Sequence, residues 1–191
     1  LIGWSLVAFV AGNEILVPTP VQVFLSMSAH LMSVSFYIAI FHTLIRMFYG
    51  LIWAFLSAIF LGFLGIYHRP IKEFFKPIFA VFKTIPTISY IFLVLLWFGR
   101  SRSVTIVSFL VLFPIFYSNI VQGIEGIDSS FKNLLKVYPA PKHIEIFKIY
   151  LPLIETYLYA AFKTAFGLGF KVSVMAEILG QLYNGIGRQL Q

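Results

Sequence analysis

Residues 47–66 read Met47-Phe-Tyr-Gly-Leu-Ile-Trp-Ala-Phe-Leu-Ser-Ala-Ile-Phe-Leu-Gly-Phe-Leu-Gly-Ile66 and contain no charged side chain. An α-helix rises about 1.5 Å per residue, so twenty residues span about 30 Å, the thickness of the hydrocarbon layer of a bilayer. A helix also satisfies its own backbone hydrogen bonds, which lipid cannot do. This stretch therefore predicts a membrane-spanning helix.

The composition of the whole chain supports the same class. Of 191 residues, 60% are hydrophobic and 11% are charged, whereas a soluble domain has about 25% charged residues. Folded in water, such a chain would have too few polar residues to cover its surface. The sequence contains no cysteine, which excludes disulfides and thiolate chemistry. The net charge is +7. The basic residues lie beside apolar segments, which favours the rim of a membrane protein over a nucleic-acid-binding surface.

Other apolar segments predict further helices. Residues 1–11 are too short to cross a bilayer and begin without Met, so we interpret them as the tail of a first helix whose start is missing. Three longer segments are candidates for complete crossings: residues 77–98, 103–124 and 149–178. Together with residues 47–66 they predict one all-α membrane domain that covers residues 1–191.

The distribution of Lys and Arg predicts the orientation. Basic residues concentrate in residues 68–76 and 129–148, which we therefore place in the cytoplasm. One loop on the outer side separates these two cytoplasmic loops along the chain, so the loops alternate between the two sides of the membrane as successive crossings require. Residues 13–36 contain no Lys or Arg and fit the outer side. Three arginines, Arg46, Arg100 and Arg102, fall on the outer side in this arrangement and argue weakly against it.

Proline and glycine indicate where helices start, bend or approach one another. Pro18 and Pro20 predict the start of an amphipathic segment along the outer surface, and the Lys76-Pro77 and Leu151-Pro152 pairs suit helix starts. Pro residues inside the spans predict kinks, at Pro86 and Pro114. Small residues inside the spans predict close helix packing, at Gly50, Gly62, Gly65, Gly167 and Gly169.

The segment from Asn133 to Pro152 interrupts the apolar pattern. It reads Asn133-Leu-Leu-Lys-Val-Tyr-Pro139-Ala-Pro-Lys-His-Ile-Glu-Ile-Phe-Lys-Ile149-Tyr-Leu151-Pro152. Lysines alternate with apolar residues that suit docking on a partner: Leu134, Leu135, Val137, Ile144 and Ile146. The Pro139-Ala-Pro141 turn predicts a separation between two short helices. The alternative interpretation is an ordinary inner loop whose lysines only set the topology.

Signatures of catalysis are absent from the sequence. It contains no phosphate-binding loop of the form Gly-x-x-x-x-Gly-Lys-Ser/Thr and no Gly-x-Ser-x-Gly elbow. Its four histidines are scattered and form no metal-ligand pattern. We therefore expect neither an enzyme nor a cofactor or metal in this chain.

Several short motifs, taken in order, carry a family resemblance. Ile149, Leu151 and Pro152 match the end of a loop pattern that reads Glu-Ala-Ala, three residues, Gly, nine residues, Ile-x-Leu-Pro. The earlier positions of that pattern fall on Asn133-Leu134-Leu135 and Pro139, which depart from it. Other matching runs are Leu16-Val-Pro18-Thr-Pro20, Thr43-Leu-Ile-Arg46-Met-Phe-Tyr-Gly50, Phe82-Lys-Thr-Ile-Pro86, Leu96-Trp97-Phe98-Gly99, Phe113-Pro114-Ile-Phe-Tyr-Ser-Asn119, Ala176-Glu177-Ile-Leu-Gly180 and Gly185-Ile-Gly187.

In this order, these runs resemble the membrane permease subunit of a bacterial binding-protein-dependent ABC importer, in the branch that handles nitrate, sulfonates, taurine and thiamine precursors. The resemblance implies a type I importer bundle in the bacterial cytoplasmic (inner) membrane, multi-pass, with about five helices here and a last helix missing. It also implies three protein partners: a cytoplasmic ABC ATPase dimer that holds ATP and Mg²⁺, a second permease subunit (an identical copy is favoured) and an extracytoplasmic solute-binding protein.

The resemblance also assigns roles to residues. The loop at 129–148 would form coupling helices that sit in a groove of the ATPase, with contacts at Asn133, Leu134, Leu135, Tyr138, Pro139, Ala140, Pro141 and Lys142. ATP-driven closure of the ATPases would then rock the membrane helices between inward and outward openings.

Charged residues in the last span are candidates for the solute pathway: Lys163, Lys171 and Glu177. Charges at membrane depth are costly and usually face a bundle interior or water. Ion pairing or snorkelling is the alternative for the lysines. Glu177 is expected to pair with one of these lysines or to bind a turn near the outer mouth, and Arg46 is expected to anchor the outer interface.

Two other functions stay open from the sequence. One is a substrate-capturing membrane subunit of a vitamin importer, which would not need the coupling-loop spacing. The other is a membrane-embedded enzyme, which would need clustered polar groups inside the spans. The apolar spans lack such a cluster, so we favour the permease.

Overall fold

A computed structural model describes residues 2–12 and 17–190, apart from the side chains of three lysines. The helices are α1 Ile2–Ala11, α2 Pro20–Leu31, α3 Val34–Tyr67, α4 Arg69–Thr84, α5 Thr87–Glu125, α6 Ser129–Val137, α7 Lys142–Ile144, α8 Leu151–Leu153, α9 Glu155–Gly180 and α10 Ile186–Gln189, with a π-helical turn at Glu145–Tyr150. This part of the chain contains no strand, so the all-α prediction is confirmed. Leu1, residues 13–16 (with Leu16 of the motif Leu16-Val-Pro18) and Gln191 lie outside the described residues.

α3 is longer than the predicted crossing at residues 47–66. It has 34 residues and a length of about 50 Å. No Pro or Gly follows Val34 until Gly50, so nothing in the sequence ends the helix at Met47. Arg46 is the only Lys, Arg, Asp or Glu in α3, and the residues before it extend the helix beyond one bilayer thickness.

α5 is two antiparallel arms joined at Gly99. Gly99 has φ 71° and ψ 174°, a conformation open essentially to glycine alone. In a straight helix Tyr90 and Val111 would lie about 30 Å apart, yet both line one small cavity with Pro114. The arms, residues 87–98 and 100–125, therefore fold back on each other, as the separate predictions for 77–98 and 103–124 require.

The crossing predicted at residues 77–98 is a broken helix. α4 ends at Thr84, Ile85 is extended (φ −73°, ψ 128°), and α5 begins at Thr87. The kink predicted at Pro86 is confirmed, because the residue before a proline is disfavoured in the helical region. The prediction of a loop at residues 68–76 and of a helix start at Pro77 is wrong. α4 already begins at Arg69, with a proline in its first turn, and Pro77 lies inside it.

The helix predicted at residues 149–178 also begins later than expected. Residues 149–153 belong to the π-helical turn and to α8, and the continuous helix α9 runs from Glu155 to Gly180. Pro152 accounts for this difference, because it has no N–H to donate and its ring disfavours a regular helical turn before it. Ile154, with φ −99° and ψ 11°, separates α8 from α9.

The chain alternates in direction across the bundle. α3 and the second arm of α5 run parallel, since Gly50 approaches Ser108 and Gly62 approaches Ile120. α9 is antiparallel to both, because Ser173 contacts Ser108 while Phe162 contacts Phe116. The two basic segments therefore reach the same end of the bundle, where Lys72 pairs with Glu125. The predicted alternation of the loops agrees with this arrangement.

Aromatic and small residues hold α3, α5 and α9 together. The rings of Phe55, Phe116 and Phe162, one from each helix, have centroids 4.8 to 5.3 Å apart. A Cβ on Gly50 would lie 2.6 Å from Ser108 Cβ, and one on Gly62 would lie 2.7 Å from Ile120. The predicted close contacts at these glycines are therefore confirmed.

Of the other three glycines that were predicted to pack closely, two do so and one does not. A Cβ on Gly65 would lie 3.3 Å from Lys72 Cβ, and one on Gly169 would lie 3.1 Å from Leu112, so both glycines pack against a neighbour. The prediction for Gly167 is wrong within this chain, because a Cβ there would have no neighbour within 4 Å.

Two helices among the described residues are long and apolar enough to cross a membrane, α3 and α5. Because α5 folds back at Gly99, only its second arm, residues 100–125, has the length of a complete crossing. A helix does start at this point, as predicted: Pro18 precedes α2, and Pro20 is its first residue. Thr19 caps α2 through a reciprocal bond with Gln22, and no α2 residue is buried.

The reversal at Gly99 generates a prediction. Gly99→Ala should lower the free energy of unfolding by about 1–3 kcal/mol, because alanine is strained at this φ and ψ, although no neighbour lies within 4 Å of its Cβ. Thermal unfolding in detergent measures the change. Gly167→Ala, in a helical and open position, is the matched control and should not destabilise the protein. Equal melting temperatures for Gly99→Ala and the parent would contradict the reversal.

Candidate functional site

The predicted coupling segment forms an elbow at the end of the bundle that carries the basic residues. α6 begins after Asp128, whose side chain accepts a hydrogen bond from the Ser130 N–H at 2.6 Å. α6 ends at Val137, and helix resumes at Lys142, so Pro139-Ala-Pro141 separates two helical pieces as predicted. We call residues 129–148 the elbow.

The elbow is fixed at both ends. A Cβ on Gly123 would lie 2.9 Å from Ile154 Cβ, so the end of α5 and the start of α9 touch closely. Leu135 and Ile146 pack against the main apolar core of the bundle. These two residues were predicted to dock on a partner; in the structure they anchor the elbow to its own chain.

Other apolar residues of the elbow point away from the bundle. Leu134 is 53% exposed, Val137 70% and Tyr138 72%. We call these three residues the elbow surface. The remaining predicted contact residues are exposed at Asn133, Pro139, Pro141 and Lys142 and half-buried at Ala140. Exposed apolar groups at a basic, lysine-rich end are the type of surface that a soluble partner covers.

Tyr67, the last residue of α3, joins that helix to the elbow. Its hydroxyl donates to Glu145 Oε2 at 3.0 Å, and Lys142 Nζ lies 4.7 Å from the centroid of its ring. The helix and the elbow therefore meet through a hydrogen bond and a cation–π contact on one side chain. Nothing in the sequence predicts this contact, because Tyr67 and Glu145 are far apart along the chain.

Lys163 and Lys171 lie on the exposed side of α9. At about 100° per residue, they are about 80° apart around the helix, with Gly167 between them. Ala160 is exposed on the same side. The described residues place no acidic group in an ion pair with either lysine, since the ion pairs are Arg46–Glu177 and Lys72–Glu125. The result is a face of small and cationic residues that the chain itself leaves uncovered.

Glu177 lies at the opposite end of α9 and has no exposed surface. Its Oε1 accepts from Arg46 Nη1 at 2.9 Å, and its Oε2 accepts from the Gly187 N–H at 3.2 Å and lies 2.8 Å from Thr43 Oγ1. Arg46 also donates to the Asn184 carbonyl at 2.8 Å. The carboxylate therefore connects α3, α9 and the turn at residues 181–187.

This turn needs its glycines because it lies directly on the carboxylate. A Cβ on Gly185 would be 2.4 Å from Glu177 Cδ, and one on Gly187 would be 2.6 Å from Glu177 Cβ. The prediction that Glu177 binds a turn is confirmed, and the alternative of a lysine partner is wrong, since its cationic partner is Arg46. Because the side chain is buried, it lines no open surface in this conformation.

Thr43 also belongs to this buried polar cluster, a contact that the sequence pattern did not predict. Its hydroxyl is buried, contacts Glu177 and accepts from the Ile186 N–H at 3.0 Å. Thr43 and Arg46 lie one turn apart in a segment noted for its resemblance, and Glu177 lies in another. A charge at membrane depth needs polar partners, so some partner for Glu177 could be expected. The sequence does not indicate which residues supply it.

The comparison with known families follows this geometry. Residues 50–191 match the family of inner membrane components of binding-protein-dependent transport systems, and the chain belongs to that family. The matched range includes the elbow, the exposed lysines of α9 and the turn around Glu177. The permease resemblance is thereby confirmed.

A curated relative adds a more specific comparison. The chain is 23% identical over 172 residues to SsuC of Bacillus subtilis (strain 168), a permease protein whose name associates it with transport of aliphatic sulfonates. The alignment covers 89% of this chain and 62% of that protein. The chain thus spans less than two-thirds of the length of this relative.

The buried ion pair generates a second prediction. Arg46→Gln should lower the free energy of unfolding by about 3–5 kcal/mol, because Glu177 would remain buried without its cation. Thermal unfolding of the purified chain measures this loss. Arg102→Gln removes the same charge from an exposed position and serves as the control. If both substitutions shift the melting temperature equally, Arg46 does not stabilise Glu177.

Proposed function

We propose that this chain is a multi-pass permease subunit of an ATP-driven importer, and that its elbow transmits ATP-driven motion from cytoplasmic ATPases to the membrane helices. The observation that carries the proposal is the elbow surface. Leu134, Val137 and Tyr138 are exposed in a segment whose sequence is rich in lysine, while Leu135 and Ile146 bind the same segment to the core. A coupling element needs both an outward docking face and a firm inward attachment.

The attachment reaches the membrane part through two routes. Tyr67 connects the elbow to α3, and the contact of Gly123 with Ile154 holds together the end of α5 and the start of α9, which flank the elbow. A displacement of the elbow would therefore act on the three helices of the core at once. Close packing supports such transmission because packed interiors deform little.

The exposed face of α9 supports the rest of the proposal. Lys163 and Lys171, without an acidic partner in the described residues, would line a pathway for an anionic solute between this chain and a second, identical copy. Gly167 and Ala160 leave room on that face for a neighbouring chain. The name of the Bacillus subtilis relative mentions sulfonates. Sulfonates are anions, which agrees with a pathway lined by lysines. An extracytoplasmic binding protein would deliver the solute.

The coupling proposal is tested with two matched tyrosines. Tyr138 is 72% exposed on the elbow and Tyr183 is 73% exposed at the opposite end. Tyr138→Ala should weaken co-purification with the ATPase about tenfold, because an aromatic anchor at an interface commonly contributes more than about 1 kcal/mol. Tyr183→Ala should leave the association unchanged.

Two further results would decide against coupling. Deletion of residues 138–142 with undiminished ATPase association would contradict the docking role of the elbow. A chain that binds solute by itself, without an ATPase at this segment, would instead support a substrate-capturing subunit. Both experiments use the ATPase found with this permease in purified membranes.

The pathway proposal has its own prediction. Lys163→Gln and Lys171→Gln should each lower the ATP-driven uptake of an anionic solute in proteoliposomes, whereas Lys→Arg at the same positions retains most of it, because the charge is kept. Loss of one buried or partly buried charge contact typically costs about 1.5–3 kcal/mol, which is about tenfold or more in rate. Uptake that is unaffected by both glutamine variants would remove these lysines from the pathway.

A further inference from the structure

We propose that the cleft between α4 and the second arm of α5 binds the headgroup of an anionic phospholipid. The inference goes beyond transport, and it does not depend on coupling to an ATPase. It starts from two adjoining cavities of about 370 Å³ and 520 Å³ that share Lys72, Val121 and Glu125 in their walls. The first is within the size range of ligand sites, about 300–1,000 Å³.

The charges of the two cavities differ. The larger one is lined by Arg69 and Lys72 together with Glu73 and Glu125, so its charges balance. The smaller one is lined by Lys72, Lys76 and Glu125 and keeps one net positive charge. Lys72 is paired with Glu125, while Lys76 has no ion pair with a described residue. The smaller cavity is therefore the one that suits an anion.

The smaller cavity has the polarity gradient of a phospholipid. Lys72 and Lys76 lie toward the end of the bundle that bears the basic residues, with the amide of Gln122 beside them. One to two turns further along α4, Phe79 and Ala80 line the apolar part of the wall. A phosphate near Lys76 would leave its acyl chain directed along Phe79 and Ala80, into the apolar region of the bundle.

The setting favours a lipid over a free anion. The cleft lies at the end of the bundle where both lysine-rich segments meet, and the inner leaflet of a bacterial membrane is the source of anionic lipid there. The cavity is lined by residues 117–125 of α5, a helix that is long and apolar enough to cross a membrane. A free phosphate would meet the same lysines but would gain nothing from the apolar wall.

The experiment measures which lipid the full chain retains in detergent, by native mass spectrometry with phosphatidylglycerol, phosphatidylcholine or inorganic phosphate added. Phosphatidylglycerol should be retained about fivefold better than phosphatidylcholine, the preference expected of about one basic residue. Lys76→Gln should remove this preference. Arg102→Gln, the same change of charge beyond the Gly99 turn, should keep it.

A second variant tests the cavity itself. Ala80→Trp keeps every charge and fills the apolar wall, so it should lower retention of phosphatidylglycerol. If that variant does not fold, the Lys76→Gln variant, changed at an exposed position, still tests the proposal. Equal retention of both lipids, an equal loss in Arg102→Gln, or inorganic phosphate displacing the lipid completely would each overturn the proposal. None of these outcomes bears on the ATPase co-purification, so the two proposals fail separately.

Discussion

A carboxylate that water cannot reach fixes one end of this bundle. Glu177 is fully buried and takes its hydrogen bonds from a guanidinium, a backbone N–H and a hydroxyl. An uncompensated charge in such a place costs several kcal/mol, so α3 and α9 cannot separate there without losing these bonds. The turn at residues 181–187 is held by the same group, and its glycines are required by contact with Glu177.

The opposite end depends on a different contact, and α3 connects the two. Arg46 binds Glu177 and Tyr67 binds Glu145, and the helix between them is unbroken over about 30 Å. Gly50 and Gly62 hold this stretch close against α5. α3 is thus fixed to a buried ion pair at one end and to the elbow at the other, which is the attachment that the proposed coupling requires.

The sequence allowed the class, the order of the crossings and their alternation to be predicted, because uncharged length and lysine placement report directly on a bilayer. The positions at which helices begin were harder to predict. The helices α3, α4 and α9 begin at Val34, Arg69 and Glu155, away from the starts that the apolar segments predicted at residues 47, 77 and 149. The site was predictable in part: the turn at Pro139-Ala-Pro141 follows from local chemistry. The Tyr67–Glu145 and Thr43–Glu177 contacts depend on tertiary packing, which spacing along one chain does not encode.

The break between α4 and α5 shows how a polar backbone is tolerated in such a bundle. Interrupting a helix leaves carbonyls without their usual donors, and lipid supplies none. Here the Tyr90 hydroxyl donates to the Phe82 carbonyl at 2.6 Å, and the two rings stack with centroids 5.8 Å apart. The carbonyl oxygen at the break thus has a hydrogen-bond donor from the same chain. α4 can therefore run along α5 in a direction different from that of the first arm. Phe79 contacts Tyr117 there, and the cleft opens beyond that contact, toward Lys76.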